Sequence, residues 1–427
     1  MNESQVSAIE ARVHRAISGL ESGSRQTLQE LVRIPSPSGH ERDVQRWVAR
    51  RMADLGLAVD SFDIDPSAMA RVPGFNDTPR PYADRPCVVG VLRGVGGGRS
   101  LILNAHADTA PVEEPSSWSR PPYSGEIVDG RLYGRGAWDD KAGIAEMLLV
   151  VEALRLAGVR LRGDLILKSV VEDETTGNGT LACLARGYTA DGAIIVDGTW
   201  PERYIVSHLG HVWFRITLHG ATGHAAARGG NPVDAIGPVV AALRQMVAHQ
   251  NQGRTGEGDF ADRPAFINFG QVDGGVWPGA IPGRCTIDGT YGFPPPDDRQ
   301  TAHARLTAAI DAVTAMPGWS LETAPALSYP GFDVPPLVNP SVNEITTLLS
   351  GTIERLHGGR LTEHVVAGCC DLRHYTSGRP QPAIPACLYG PGGGKGAHAT
   401  DEYFLLEHLP VVARTLASPD IRWCGVA

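Results

Sequence analysis

Leu101-Ile102-Leu103-Asn104-Ala105-His106-Ala107-Asp108 is a short apolar run that ends by presenting an imidazole, with a carboxylate two residues further on. A run of this length closed by a polar turn reads as a buried strand. The same pattern returns at Val88 to Leu92, Leu165 to Val171 and Ala193 to Val196. Helical patterns lie between them. The clearest follows Lys141, where Ile144, Met147, Leu148, Val151 and Leu154 recur on one helix face. Strands alternating with helices imply an α/β sheet with helices on both faces. In such sheets ligands gather beyond the carboxyl ends of the strands, which is where His106 falls.

Toward the N-terminus, residues from about 8 to 57 read as two helices interrupted by Ile34-Pro35-Ser36-Pro37-Ser38-Gly39. Beyond residue 205 the texture changes. Val212 to Gly220 alternates like a half-buried strand, a helical pattern runs from Pro232 to about His249, and two strand-like stretches follow at Ala265 to Val272 and Arg284 to Phe293. A helix is expected from about Asp298 to Ala315. This β-α-β-β-α order suits a small α+β domain inserted into the larger one. Its exit is placed near Ser328-Tyr329-Pro330-Gly331, which gives 1–206 and 331–427 to the first domain and 207–330 to the insertion.

A chain of 427 residues exceeds one ordinary core, and 42% hydrophobic with 20% charged residues is the balance of a soluble globular protein. The net charge of -9 is spread without a basic stripe, so no nucleic-acid partner is expected. Met1-Asn2-Glu3-Ser4 opens a polar segment and no run is long enough to span a bilayer, so no membrane partner and a cytoplasmic location are expected. The seven cysteines show no C-x-x-C spacing, which argues against a disulfide framework and a zinc ribbon. Any metal must then be held by imidazole and carboxylate, ligands that suit zinc, manganese or cobalt.

Four further segments present such groups after apolar runs or in Gly-rich turns. Gly134-Arg135-Gly136-Ala137-Trp138-Asp139-Asp140-Lys141 sets paired carboxylates at the start of the clearest helix. Asp140 suits an N-cap there, whereas Asp139, one step further out, has the character to bridge two cations. Glu172-Asp173-Glu174 follows a strand, and three adjacent carboxylates repel one another unless a positive charge compensates them. Ile194-Ile195-Val196-Asp197 is another strand ending in an acid, and a glycine-rich approach leads to Ala397-His398. Asp108 reads as an orienting partner for His106, because a ligating histidine usually gives its other N–H to a carboxylate or carbonyl.

His106-Ala107-Asp108, Gly134-Arg135-Gly136 through Lys141, the acidic triplet with Gly179, Asp197, and Ala397-His398 with Asp401-Glu402 together resemble the ordered signature of a known enzyme family. It is the family of acetylornithine deacetylase, succinyl-diaminopimelate desuccinylase, aminoacylase and carboxypeptidase G. The match runs from Ser36 to His398. The resemblance implies a zinc-peptidase-like catalytic domain with a central mixed sheet, and an inserted α+β lid and dimerisation domain. It also implies one or two divalent ions, zinc first and manganese or cobalt as alternatives. Asp139 would bridge them, His106 and Asp197 would hold one, and Glu174 and His398 the other. His224 matches a lid histidine that reaches a neighbouring subunit's site in a homodimer, and Arg373 an arginine suited to a substrate carboxylate. Tyr375 and Asn268 are further substrate-facing candidates.

The chain departs from the family pattern in three places. The usual Asp-Glu-Glu is Glu172-Asp173-Glu174; register set by Gly179 makes Glu174 the ligand and Asp173 the base, with Glu172 a rival base. The usual Glu-Pro-Thr is Asp197-Gly198-Thr199, and Tyr291-Gly292-Phe293 replaces a lid arginine, with an aromatic surface expected there. The expected function is metal-dependent hydrolysis of a C–N bond in a small carboxylate-bearing substrate, an N-acyl amino acid or dipeptide. An aminohydrolase releasing ammonia and a non-catalytic metal- or ligand-binding relative are the alternatives.

Overall fold

The computed structural model describes residues 2–76, 78–227, 229–253, 260–378 and 381–427. Its centre is an eight-stranded mixed sheet in the order Ala58–Phe62, Cys87–Leu92, Leu165–Val170, Leu101–His106, Gly192–Ile195, Ala386–Leu388, Arg203–His208, Thr362–Val366. Four neighbours at its middle, from Leu165–Val170 to Ala386–Leu388, run parallel and are buried along their whole length. Parallel strands covered on both faces require near-continuous apolar residues, which explains why LILNAH and LILKSV carry so few polar positions. Leu101 pairs with Leu165 and His106 with Val170, so the two strands end level with each other.

The helix Lys141–Leu156 is buried almost all round, because the sheet lies on one side and the helices Glu3–Gly19, Glu21–Val32 and His408–Cys424 enclose the rest. A helix without a polar face has to be enclosed in this way. The N-terminal segment forms three helices, not the two expected: Glu3–Gly19 and Glu21–Val32 are separated at Leu20, and Arg42–Asp54 follows the Pro-rich turn. No helix among the described residues is long and apolar enough to cross a membrane.

A smaller four-stranded sheet, Gly394–Lys395, Tyr403–Leu405, Arg131–Tyr133 and Glu126–Val128, pairs the hairpin around His398 with the strand that leads into Asp139. The inserted domain has its own sheet, with Phe266–Gly274, Arg284–Phe293, Gly210–His219 and Ala326–Ser328 in that order, and the helices Pro232–Gln250 and Arg299–Thr314 pack together on it. Strand Gly210–His219 alternates buried and half-buried positions, and Val212, Phe214, Ile216 and Leu218 enter a core separate from that of the main domain. Strand pairing carries the main sheet through His208 and the lid sheet through Asp333–Val334.

Candidate metal centre

The carboxyl ends of the parallel strands converge as their pairing requires. His106 is the last residue of its strand, the triplet 172–174 follows Val170, and Asp197 follows Ile195 by two residues. His398 enters from the hairpin of the small sheet. His106 Nε2 is 3.0 Å from Asp139 Oδ1, and His398 Nε2 is 3.3 Å from Asp139 Oδ2 and 2.8 Å from Glu174 Oε2. Asp139 thus has one oxygen on each imidazole. Two sets of ligand atoms lie within 4.8 Å of one another: Asp139, Glu174 and His398 form one, and His106, Asp140 and Asp197 the other.

Asp140 does not cap the helix it precedes. Its side chain makes no capping bond; it turns inward, and Oδ2 accepts the backbone N–H of His106 at 3.2 Å. Asp108 also acts differently from expectation. His106 Nδ1 bonds the main-chain carbonyl of Asp108 at 2.8 Å, while the carboxylate lies 3.7 Å away. With Nδ1 engaged there, Nε2 is the ring nitrogen that faces Asp139. The Asp108 carboxylate grips the acidic loop instead, accepting the N–H groups of Asp173 and Glu174 at 3.2 Å each and the Ser38 hydroxyl at 3.0 Å.

Glu172 is withdrawn as a rival base. It is fully buried on the far side of the loop, where one oxygen pairs with Arg85 at 2.5 Å and the other accepts the hydroxyls of Thr175 and Thr176. Arg85 also makes a two-point contact with buried Glu41, at 2.7 and 2.8 Å, so one guanidinium serves two buried carboxylates. The Glu172 carbonyl accepts the N–H groups of Thr175, Thr176 and Gly177, closing the loop behind Asp173. Gly177 has φ +69, and a Cβ there would meet the Arg373 guanidinium, while one on Gly179 would lie 2.1 Å from the Val171 carbonyl. Those contacts are the physical reason for glycine at both positions.

Asp173 Oδ2 faces the cluster, 3.8 Å from His106 Nε2. Burial raises its carboxyl well above the usual range, and the charge of Asp371 adds to the effect. Asp197 is pushed up to about 7, also by burial, against the pull of His106. At Asp139 burial acts in the same direction, but the two imidazoles outweigh it and hold the carboxyl well below its ordinary value. The Glu174 carboxylate, followed by hydrogen bonds to Asp139 and Glu174, raises His398 to about 11.

Sequence reasoning passed over Glu402 as more than part of a motif. Its Oε2 accepts Arg135 Nη1 at 2.6 Å and the Gly136 N–H at 3.1 Å, and its Oε1 accepts the N–H groups of Trp138 and Asp139 at 3.0 and 3.2 Å. Glu402 therefore shapes the turn that presents Asp139. The signal was available in the acid pair three residues after His398.

The remaining candidates are not among the residues whose ligand atoms group together. Tyr375 is 2% exposed, with its hydroxyl between Lys168 Nζ and Asn104 Oδ1, which makes it a core residue and not a substrate contact. Arg373 is buried, its two terminal nitrogens donating to the carbonyls of Cys370 and Thr176 at 2.7 and 2.8 Å, so those donors do not face the cluster. Asn268 is exposed on the lid strand opposite Thr290. His224 is exposed on a short lid ladder, with Nδ1 accepting the Ala226 N–H. No aromatic surface replaces the lid arginine: Tyr291 and Phe293 are both fully buried in the lid core, the Tyr291 hydroxyl on Gln250.

Two imidazoles and at least four carboxylates converging at the strand ends fit hard or borderline divalent ions, and the mutual repulsion of these acids calls for such a charge. The model of peptidase family M20/M25/M40 matches residues 102–418. The N-formyl-4-amino-5-aminomethyl-2-methylpyrimidine deformylase of Bacillus subtilis (strain 168) is 27% identical over 416 residues, 91% of each chain. The succinyl-diaminopimelate desuccinylase of Variovorax paradoxus (strain S110) is 27% identical over 324 residues, 73% of this chain and 79% of its own. Among solved structures, the di-peptidase Dug1p of Saccharomyces cerevisiae superposes with a TM-score of 0.78 at 16% identity over 97% of this chain and 98% of its own, a likeness of fold. With that match spanning most of the chain and all the strand-end acids and histidines, the chain belongs to peptidase family M20/M25/M40 and is a metal-dependent hydrolase of carbon–nitrogen bonds.

Proposed function

We propose that the chain hydrolyses the amide-type bond of a small N-acyl compound, with Asp173 as the general base. The observation that carries the base assignment is the opposite fate of two neighbours: Asp173 faces the cluster, while both Glu172 oxygens are occupied by Arg85, Thr175 and Thr176. Asp139, His106 and Asp197 would hold one ion, and Asp139, Glu174 and His398 the other, with Asp140 and Glu402 fixing the backbone that presents them. When bound, such ions polarise a carbonyl and make water acidic near neutral pH. Asp173 would take the proton of the attacking water and hand it to the leaving amine nitrogen.

An N-acyl amino acid or dipeptide is the first substrate class, zinc the first metal, and a cytoplasmic homodimer using His224 across subunits the working assembly. A second reading, an N-acyl amine without a carboxylate, is favoured by Arg373, whose terminal nitrogens are committed to main-chain carbonyls, and by the deformylase relative. The test is a panel of N-acyl amino acids, dipeptides and N-formyl amines, assayed for acid, amine and ammonia. Acid and amine in equal amounts support the proposal. Ammonia without acid points to an aminohydrolase, and no turnover by metal-loaded protein points to a binding protein; either result overturns it.

A further inference from the structure

Two of the buried parallel strands carry a polar side chain at the same level of an otherwise apolar run. Asn104 and Lys168 pair in register on neighbouring strands and are 1% and 0% exposed. A buried ammonium costs stability that an apolar residue of similar size would not, so its partners decide why it stands there.

Those partners form one chain. Lys168 Nζ donates to the Tyr375 hydroxyl at 3.2 Å, and that hydroxyl donates to Asn104 Oδ1 at 3.2 Å. The Thr180 hydroxyl lies between Asn104 Oδ1, at 3.1 Å, and Asp371 Oδ2, at 2.5 Å. Its single proton belongs to the shorter contact, with the carboxylate. All five side chains are buried, and a buried polar chain of this kind holds its members in one arrangement.

The chain ends on the acidic loop. A Cβ on Gly177 would come 2.7 Å from Asp371 Oδ1, so this carboxyl packs on the residue whose N–H closes the loop onto the Glu172 carbonyl. Two residues on, Arg373 Nη2 donates to the Thr176 carbonyl of the same loop at 2.8 Å. Burial raises the Asp371 carboxyl, against the Arg373 charge and hydrogen bonds with the Thr180 and Asp173 side chains. Asp371 thus meets Thr180 on one side and Asp173 on the other, and neither Asp371 nor Thr180 is among the grouped ligand atoms.

We propose, on the reading of Asp173 as the general base, that Asp371 is the positioning residue of that base, fixed by the Thr180 hydroxyl and, through Asn104 and Tyr375, by buried Lys168. A proton acceptor works at full rate only from one place, and a displacement of about 1 Å can cost about a hundredfold. Asn104, Lys168 and Tyr375 then have a common reason to be polar inside an apolar core.

The test is a double-mutant cycle on metal-loaded protein, with kcat, KM, bound metal and urea stability measured on the fastest-cleaved member of the amide panel. Thr180→Val keeps the shape and loses the hydroxyl, whereas Thr180→Ser keeps the hydroxyl. In Thr180→Val we expect kcat to fall about tenfold or more, with KM and metal content within about twofold of wild type, and in Thr180→Ser to recover to within about threefold. In an Asp173→Asn background the same Thr180→Val exchange should alter the residual rate less than about twofold, because the group being positioned is gone. Wild-type kcat in Thr180→Val, or an equal loss of kcat in both backgrounds, would overturn the proposal; lower urea stability with unchanged kcat per bound metal would show a structural role alone and overturn it too. Asp371→Asn supplies the same comparison should Thr180→Val fail to fold. Wild-type kcat in Asp173→Asn itself would instead sink the base reading, so the two failures are distinct.

Discussion

Exchanging single atoms in two adjacent side chains separates the base from the scaffold of the acidic loop. Asp173→Asn keeps size and shape but removes the proton acceptor 3.8 Å from His106 Nε2. A positioned general base contributes about 10²–10⁴ in rate, or about 2.7–5.5 kcal/mol of barrier, so kcat should fall by that factor with KM little changed. The bonds from the Asp173 and Glu174 N–H groups to Asp108 are main-chain bonds and persist, so bound metal should stay at the wild-type level. Glu172→Gln should do the reverse. It removes the charge partner of Arg85 at a fully buried position, for a loss of about 1–3 kcal/mol in stability, while kcat should stay within a few fold. Steady-state kinetics, metal analysis and urea unfolding of both variants supply the comparison. A Glu172→Gln enzyme losing two or more decades in kcat beside an active Asp173→Asn enzyme would refute the assignment.

Other outcomes follow from the same geometry. Arg85→Met strands Glu41 and Glu172 without a cation in the interior and should cost about 3–5 kcal/mol by urea unfolding; a loss under about 1 kcal/mol would contradict the buried-pair account. His208 is buried, with Nδ1 on the Leu209 carbonyl, and burial with the nearby Arg373 charge lowers its pKa from 6.5 to about 3. The unfolded chain therefore binds a proton that the folded chain refuses, so stability is complete above pH 6.5 and falls as pH drops toward 3. In that window the unfolding free energy of His208→Gln should slope less steeply than wild type by about 1.4 kcal/mol per pH unit, and parallel slopes would count against burial of a neutral ring. His224→Ala should lower kcat by about 10²–10³ with metal content unchanged, and co-assembly with inactive Asp173→Asn should restore part of the activity; unaltered turnover would remove His224 from the reaction.

Much of this architecture was legible because buried parallel strands leave a plain record. The runs LILNAH and LILKSV cannot be anything wetter, and each strand end marks where its acid or imidazole must project. The lid order β-α-β-β-α was legible for a similar reason, since one-sided burial imposes alternation on Gly210–His219. What sequence could not supply was direction across a chain reversal. Glu172, Asp173 and Glu174 are chemically alike in sequence, and only the left-handed backbone at Glu172, φ 70, turns one inward to Arg85 and the next outward to the cluster. The same limit hid the inward turn of Asp140, which local capping preference assigns to its own helix, and the enclosure of Tyr375 and Arg373. Arg85 and Glu402 escaped notice because their partners lie far along the chain, at Glu172 and at the Asp139 turn.

The two-ion centre is tested most directly by counting divalent ions per chain, by elemental analysis after equilibrium dialysis against zinc, in wild type, Asp139→Ala and Glu174→Ala. Two ions are expected in wild type, one in Glu174→Ala, and the greatest loss in Asp139→Ala, whose two oxygens face both histidines. A wild-type chain that retains no ion, or variants that retain as many as wild type, would contradict it.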